Sequence, residues 1–383
     1  MPERSEFEVV IVGGGIAGAS LAYFLTERGV TDVALLERES QHGYHSTGRS
    51  AASLVEFDSI PTVQRLKAMG GNFLRHPPSG FCDNAVLNPC PVMLLYRRGN
   101  LSQFEAAVDG LRRDRIAFEA LNSAQAIARV PVLALLEPER AIMLTAGGRI
   151  DVHELLTSYL RHARSRGAMV RTSSEVRELV VENGRCRGVV TDAGTLTARW
   201  VVNAAGAWAG TIARLANAAN IPLQPRRRTI VTFAPPPNLS VSGWPFVISE
   251  ADQVYFAPES GGLLLSPMDQ EPIAPYDAQP EDEVIAAAME RLLALAPAIV
   301  PHTLKRKWAG LRTFSPDSVP VVGEDPRIGG FFWLAGQAGF GIESSPAIGQ
   351  IAADLIARGA TDRFDASVLS PTRFVAPSSN AAR

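Results

Sequence analysis

Gly13-Gly14-Gly15-Ile16-Ala17-Gly18 lies between the apolar run Glu8–Val12 and the helical pattern 19–25, and Glu37 closes a second apolar run that starts at Val33. A bare G-x-G-x-x-G is common. Strand, glycine turn, helix, strand and a terminal acid about twenty residues past the turn together read as a dinucleotide-binding unit. Each part has a physical task. Gly13 makes the tight turn, Gly15 lets the backbone approach a pyrophosphate, and Gly18 lets helix and strand pack closely. The helix start at Ile16 and Ala17 offers unpaired N–H groups and a positive dipole end to phosphate. Glu37 can accept two hydrogen bonds from a ribose diol. The plain alternative is a glycine-rich turn in some other βαβ unit. A second unit follows near the C-terminus: the buried-strand run Gly330–Ala335, the turn Gly336–Gly341 and a helix Ile342–Arg358. Two strand–turn–helix units suggest a long cofactor gripped at both ends.

The elements between these turns bound the fold. A chain of 383 residues is long for one core, so two domains are expected. A hydrophobic content of 46% and a net charge of −2 describe a globular enzyme, with no call for nucleic acid or an anionic membrane as partner. Cys82, Cys90 and Cys186 have no metal-ligand spacing and read as reduced thiols of a cytoplasmic protein, so no metal is expected. Val9–Leu25 carries no charge, yet it falls short of the roughly twenty residues a membrane span needs. Gly13, Gly14, Gly15 and Gly18 break it, and Glu3, Glu6 and Glu8 precede it where a signal peptide wants positive charge. Neither a targeting segment nor a membrane span is expected.

Asp151–Arg166 has the N-cap acid and spacing of an amphipathic helix. Residues 176–191 read as two antiparallel strands around Asn183-Gly184, followed by a strand at 195–198 and a return strand at 200–203. Residues 76–147 and 216–302 are rich in proline and short strand-like runs, which suits an antiparallel sheet. The expected class is α/β (α+β overall). A Rossmann-like domain formed by 1–75, 148–215 and 303–383 carries a second, mainly antiparallel substrate domain formed by 76–147 and 216–302.

Several motifs now stand in a fixed order. They are the first glycine turn with Glu37-Arg38, the string His45 to Ala52, the 176–203 meander, Asn203 to Trp208, Trp308 to Arg312, and Gly336 to Gly341. The set resembles the FAD-dependent D-amino-acid oxidase and dehydrogenase family, which includes glycine and sarcosine oxidases, and within it the D-arginine dehydrogenase branch. The likeness runs over nearly the whole chain, including Pro235-Pro236-Pro237 and Leu369-Ser370-Pro371. It implies non-covalent FAD lying extended across the first domain. The first turn would take the pyrophosphate and Glu37 the adenosine ribose. Arg38 and the backbone of Val176 would sit at the adenine. Ser46, Thr47, Gly48, Arg49, Ser50, Ala51 and Ala52 would run along pyrophosphate and flavin, with His45 in a cofactor-side or structural role. Ala205, Gly206, Trp208 and Gly310 join the cofactor set. Gly339, Phe340, Gly341, Ile342 and Glu343 would close over the N1–C2 edge of the flavin, where a helix start stabilises the charge of the reduced ring. NAD is the rival for the first turn but leaves the second turn and the 45–52 string without a role.

By the same resemblance Arg312 and Arg228 hold a substrate carboxylate, Arg312 also borders the flavin, and Tyr255 adds a hydroxyl contact. Arginine's planar, permanently charged fork suits that task. The alternatives are that Arg226-Arg227-Arg228 is a solvated basic patch and Arg312 a member of a structural ion pair. In a strand, Arg226 and Arg228 share one face and Arg227 takes the other. Lys305-Arg306-Lys307 reads as surface. Three positions depart from the D-arginine branch. Val92 replaces a glutamate that would pair with a substrate guanidinium, Ser53 replaces a histidine, and Asp58 replaces a loop tyrosine. Loss of the acid disfavours a cationic side chain, so a small or apolar one is expected, walled by Leu54, Val92 and Phe340. Asp58 is expected to be a solvated loop carboxylate. The implied reaction is oxidation of the α-carbon of a carboxylate-bearing amine to an imino acid that hydrolyses to a 2-oxo acid, with no acid or base assigned. Oxidation of a 2-hydroxy acid or of an N-alkyl amino acid such as sarcosine is the alternative, and an electron-carrying subunit of a complex is the alternative of another class. The electron acceptor, whether oxygen, a quinone or another, is left open.

Overall fold

The computed structural model describes residues 4–375. Of the expected segments, 1–3 (with Glu3) and 376–383 lie outside the described residues.

The first sheet grows outward from the strand Glu6–Val12. That strand pairs in parallel with Val33–Leu36 on one side and Gly194–Asn203 on the other. Met169–Arg171 extends the sheet beyond Val33–Leu36, and Phe331–Ala335 joins in parallel beyond Gly194–Asn203. Strands covered on both faces read as continuous apolar runs, and Val33–Leu36 and Phe331–Ala335 are buried throughout. The helices Ile16–Glu27, Val152–Ser165 and Gly341–Arg358 share one core beside the sheet, and Asp151 caps the second of them by accepting the N–H of Glu154. The meander forms as expected, turning at Asn183 (φ 49) and Gly184 (φ 73), the left-handed pair that a two-residue hairpin needs. The two strands expected at 195–198 and 200–203 are instead one ten-residue strand. Alternation continues through Arg199 and Trp200, so nothing breaks it. One edge of this strand pairs antiparallel with the meander and the other in parallel with Glu6–Val12.

The second sheet has nine strands, antiparallel except where Phe246–Ser249 runs parallel to Val92–Tyr96. Alternation gives it two faces. Phe256, Leu265 and Val231 pack under the helix Asp282–Leu295, while Tyr255, Leu264 and Ile230 look the other way. Arg306–Phe314, which the sequence reading groups with the first domain, is an interior strand of this sheet and pairs along Gln224–Phe233. After it the chain passes through the first sheet and returns at Gln337-Ala338, which pairs with Thr313 and Phe314. The second glycine turn therefore stitches the two sheets together. Strand partners separated by about eighty residues leave no local periodic signal. A small third sheet joins Ser53-Leu54, Leu87–Pro89 and Gly148–Ile150.

One buried carboxylate locks the C-terminal helix onto the first. Asp354 has no solvent exposure. It receives Arg28 Nε at 2.7 Å, Arg358 at 2.7 Å, Arg363 at 3.1 Å and the Thr361 hydroxyl at 2.9 Å. Removing it leaves guanidinium groups facing one another without their anion. Asp354→Ala is expected to cost about 3–5 kcal/mol in chemical denaturation. Loss of less than about 1 kcal/mol would show that the arginines are held by other contacts.

Candidate active site

The first glycine turn opens at the C-terminal end of the central strand. Gly13 takes φ 115, a region closed to most side chains. A Cβ on Gly18 would collide with the Gly13 carbonyl, so helix and turn need glycine at both places. Glu37 is fixed from both sides: its Oε2 accepts Gly14 N–H at 2.8 Å and its Oε1 accepts Glu39 N–H at 2.9 Å. Beside it the Arg38 guanidinium lies 3.9 Å from the centre of the Trp208 ring, and His45 Nε2 sits 2.9 Å from the Glu39 carboxylate. That contact, with Arg38 adding to it, holds the Glu39 carboxyl below its ordinary value.

From this acidic end a long cavity follows the turn and the 45–51 string to the second glycine turn. The string is clamped along its length. Thr47 Oγ1 accepts Ile16 N–H at 3.1 Å, Ser46 Oγ donates to the Leu311 carbonyl at 2.6 Å, and Arg49 donates to the Ala278 carbonyl at 2.9 Å. A Cβ on Gly310 would come within 3.2 Å of the Arg49 backbone. Gly13, Gly15, Ile16 and Ala17 line the cavity with Glu37, Arg38 and His45. Ser46, Thr47, Arg49, Ser50 and Ala51 line it further along. Val176, Ala205, Gly206 and Trp208 wall one side, and Gly310, Arg312, Gly339, Gly341 and Ile342 the far end. Gly18 and Gly48 do not reach it. Gly18 acts by packing, and Gly48 donates its N–H to the Gly43 carbonyl at 2.7 Å. Ala52, Phe340 and Glu343 line the neighbouring cavity instead. An acid at one end, a side-chain-free turn beside a helix start, and both glycine turns on one wall fit an extended FAD.

A second cavity adjoins the first and shares Arg228, Arg312 and Gly339 with it. Strand register explains the arginines. Arg226 stands opposite Arg312, and Arg228 opposite Gly310, so Arg228 and Arg312 are diagonal neighbours on one face. Gly339 makes room for Arg312, since a Cβ there would lie 2.8 Å from its guanidinium. Arg228 is 3% exposed and its Nε donates to the Asp269 carbonyl at 3.0 Å. Its Nη2 and the buried Tyr255 hydroxyl make no well-formed hydrogen bond, although the two groups lie close enough for Tyr255 to favour the Arg228 charge. Burial first, and the Arg312 charge second, bring Arg228 down to about 9, still charged at neutral pH. Among the described residues no carboxylate forms an ion pair with Arg228 or Arg312. Arg227 points the other way, 1% exposed, and meets Asp269, Glu271 and Glu281. The triplet is therefore not a solvated patch, and Arg312 is not a structural ion-pair member.

Ser53 and Phe340 line this second cavity as expected, with the Ser53 hydroxyl accepting Arg149 Nη1 at 2.9 Å. Val92 and Leu54 are not brought there. Both are fully buried, and Val92 packs behind the cavity against Gly147. Two residues further along the same strand face, Leu94 lines the wall with Val55, Phe246 and Ile248. Asp58 is not a solvated carboxylate but lies 2.8 Å from Lys67 Nζ. Lys67 was missed in the sequence, although it falls on the buried face of the helix Pro61–Arg75 with Val63, Gly70 and Leu74, where a cation needs a partner. Burial opposes its charge, yet Glu343 and Asp58 outweigh burial and raise its pKa. Glu250 stands at the exposed mouth. Among the described residues no cluster of His, Cys, Asp and Glu would hold a metal, and no helix is long and apolar enough to cross a membrane.

Comparison with known proteins follows this geometry. The family model described as DAO, FAD dependent oxidoreductase, matches residues 8–355. Hydrogen cyanide synthase subunit HcnC of Pseudomonas aeruginosa is 27% identical over 96% of this chain and 96% of its own. Mitochondrial dimethylglycine dehydrogenase of Mus musculus is 24% identical over 97% of this chain, which spans 44% of that protein. The crystal structure of L-proline dehydrogenase from P. horikoshii superposes with a TM-score of 0.86 at 24% identity, covering 97% of this chain and 98% of that one.

Two guanidiniums without a carboxylate partner, next to a phenol, are chemically suited to an anion. A simple monocarboxylate such as acetate is expected to raise the melting temperature of the protein, the increase growing with the logarithm of its concentration above the dissociation constant. Arg312→Ala is expected to weaken that binding about 10- to 150-fold, the equivalent of about 1.5–3 kcal/mol for a charged hydrogen bond. An unchanged acetate titration in the variant would place the anion elsewhere.

Proposed function

Because the chain belongs to the DAO family of FAD-dependent oxidoreductases, we propose that it oxidises the α-carbon of a carboxylate-bearing amine, an α-amino acid with a small or apolar side chain. The observation that carries this reading is the pair Arg228 and Arg312 at the junction of the two cavities, Arg228 buried and Arg312 half-buried, neither ion-paired with a carboxylate among the described residues, with Tyr255 beside them in the second cavity. FAD bound in the first cavity supplies a two-electron acceptor for the α-hydrogen and its bonding pair.

The chain's own groups provide binding and orientation. The two guanidiniums and the Tyr255 hydroxyl take the carboxylate, which fixes the α-carbon at the junction of the cavities. Fixing it there removes orientational freedom that a free reactant would have to lose. Val55, Leu94, Phe246, Ile248 and Phe340 give the side chain apolar walls that exclude water. The imino acid that leaves hydrolyses in solution to a 2-oxo acid and ammonia. The D-configuration rests on the family resemblance alone. Non-covalent attachment of FAD is supported by the cavity's side chains: Cys82, Cys90 and Cys186 stand outside it, and His45 is engaged by Glu39 at the far end from the arginines. The three free cysteines suit a reducing, cytoplasmic setting.

A second reading is favoured by one relative. Dimethylglycine, named in the mouse enzyme's activity, is an N-alkyl amino acid with the same carboxylate, so an N-alkyl glycine fits the same grip.

Anaerobic bleaching of the flavin tests both. α-Amino carboxylates or N-alkyl glycines are expected to bleach it, and their methyl esters are not, because the ester lacks the charge that the arginines require. Running both enantiomers decides configuration. Equal reduction by acid and ester, or no reduction by any carboxylate-bearing amine, would sink the reading. Acid precipitation is expected to leave the flavin in the supernatant, and a yellow pellet would mean a covalent link.

A further inference from the structure

The cavity that Arg228 and Arg312 border is also lined by a buried carboxylate that carboxylate binding does not use. Glu343 sits on the first turn of the helix Gly341–Arg358 and is 6% exposed. Its Oε2 accepts Val55 N–H at 2.6 Å, which fixes the carboxylate plane. Its Oε1 lies 3.6 Å from Lys67 Nζ, near enough for charge attraction and too far for a hydrogen bond. That oxygen keeps a free lone pair beside the cavity. Lys67 is turned toward Asp58 and the Phe57 carbonyl instead, at 2.8 Å and 3.1 Å.

Resting on the reading above, that the substrate is an amine, we propose that Glu343 is a further catalytic residue, taking the proton from the substrate ammonium at Oε1, and that Lys67 is the positioning residue that tunes it. An ammonium nitrogen has no lone pair to form the C=N bond. One N–H bond must break first. Its proton goes to Glu343 and its electron pair stays on nitrogen. The α-hydrogen can then leave with its bonding pair to the oxidised flavin while the nitrogen pair closes the C=N bond. The product is an iminium ion, and charge and electrons balance.

The other titratable groups facing the cavity are less suited. Asp58 is held by Lys67 and by the N–H of Ile60. Glu250, at the end of the neighbouring sheet, stands at the exposed mouth. Arg228, Arg312 and Lys67 are cations, and Tyr255 is placed to donate to the carboxylate. Behind the wall Glu56 is engaged by Arg75 at 2.8 Å. Glu343 combines burial, an open acceptor and a tunable charge. Burial raises its pKa to about 7, against the pull of Lys67 and the Val55 N–H, with Asp58 and Glu56 adding to the rise. Catalytic bases are most effective when poised near the working pH.

The test is stopped-flow flavin reduction across pH in the holoenzyme, on a substrate that bleaches the wild type. Reduction at low substrate is expected to rise through a limb near 7 as Glu343 loses its proton. Glu343→Gln, which still accepts the Val55 N–H, is expected to reduce its flavin about 100-fold or more slowly and to lose that limb. Lys67→Met removes the cation and is expected to move the limb to higher pH. An infrared titration of the substrate-free protein gives a readout independent of turnover: a carboxylic-acid band should titrate over the same range in wild type and be missing in Glu343→Gln. A Glu343→Gln enzyme with wild-type rate and limb, or a limb unmoved by Lys67→Met, overturns this proposal and leaves the amine reading intact. Failure of the wild type to be bleached by any carboxylate-bearing amine overturns the amine reading itself.

Discussion

Buried Arg228 has lost its hydration and faces the like charge of half-buried Arg312, and the strands of the second sheet hold it there. Their diagonal placement follows from the register of Gln224–Phe233 against Arg306–Phe314. Nothing in the immediate pair favours that arrangement, so the support comes from behind. Asp269 accepts the Thr229 N–H and hydroxyl at 2.7 and 3.0 Å, and its carbonyl takes Arg228 Nε. Arg227, on the opposite face, gathers Asp269, Glu271 and Glu281. The strand is thus nailed down by a satisfied cation on one face while the other presents unsatisfied ones. Interaction of two unit charges at close range in a protein is worth a few kcal/mol, about 4 kcal/mol at 4 Å with an effective dielectric near 20. An incoming carboxylate recovers that cost. On the proposed reading the site is an anion hole prepared before its anion arrives.

The same register couples substrate to cofactor. Gly310 stands opposite Arg228, and the missing side chain admits the backbone of Arg49 from the cofactor string. Gly339, on the second turn, accepts the Arg312 guanidinium in the space a Cβ would fill. Ser46 reaches Leu311, the residue beside Arg312, and Arg49 reaches across to Ala278. The strand that carries Arg312 is therefore in direct contact with the chain that lines the first cavity. Movement of one cannot leave the other unchanged.

What the sequence made legible follows from how local each signal is. The two strand–turn–helix units, the Asp151 cap and the Asn183-Gly184 hairpin are written in runs of thirty residues or fewer, and all formed as read. Arg227 and Arg228 were ambiguous because their environment comes from residues 269–281 and from Arg312, far along the chain. Val92 is expected at the wall from the resemblance alone, which does not say how far along a strand a cavity extends, and Leu94 is the residue of that strand that lines it. Glu343 was read as a cofactor contact because it follows the second glycine turn, but a helix turns about 100° per residue. Gly341 and Ile342 reach the cofactor cavity while Glu343 points to Val55 and Lys67.

The charge balance of the substrate cavity bears on what it admits. Asp58, Lys67 and Glu343 form one ionic group, and Lys67 is a cation already shared between two acids. A second cation arriving on a substrate side chain would have to compete with it in a site where each charge has lost its water. The same cavity has the apolar walls Val55, Leu94, Phe246, Ile248 and Phe340, beside the uncharged polar residues Ser53 and Gln270. Burying apolar surface against them is worth about 25 cal/mol for each Å², so a methyl or a short branched chain gains there and a guanidinium does not. On the proposed reading the charged groups of the cavity serve the carboxylate and the amine on the α-carbon, and the apolar walls are left to an uncharged side chain.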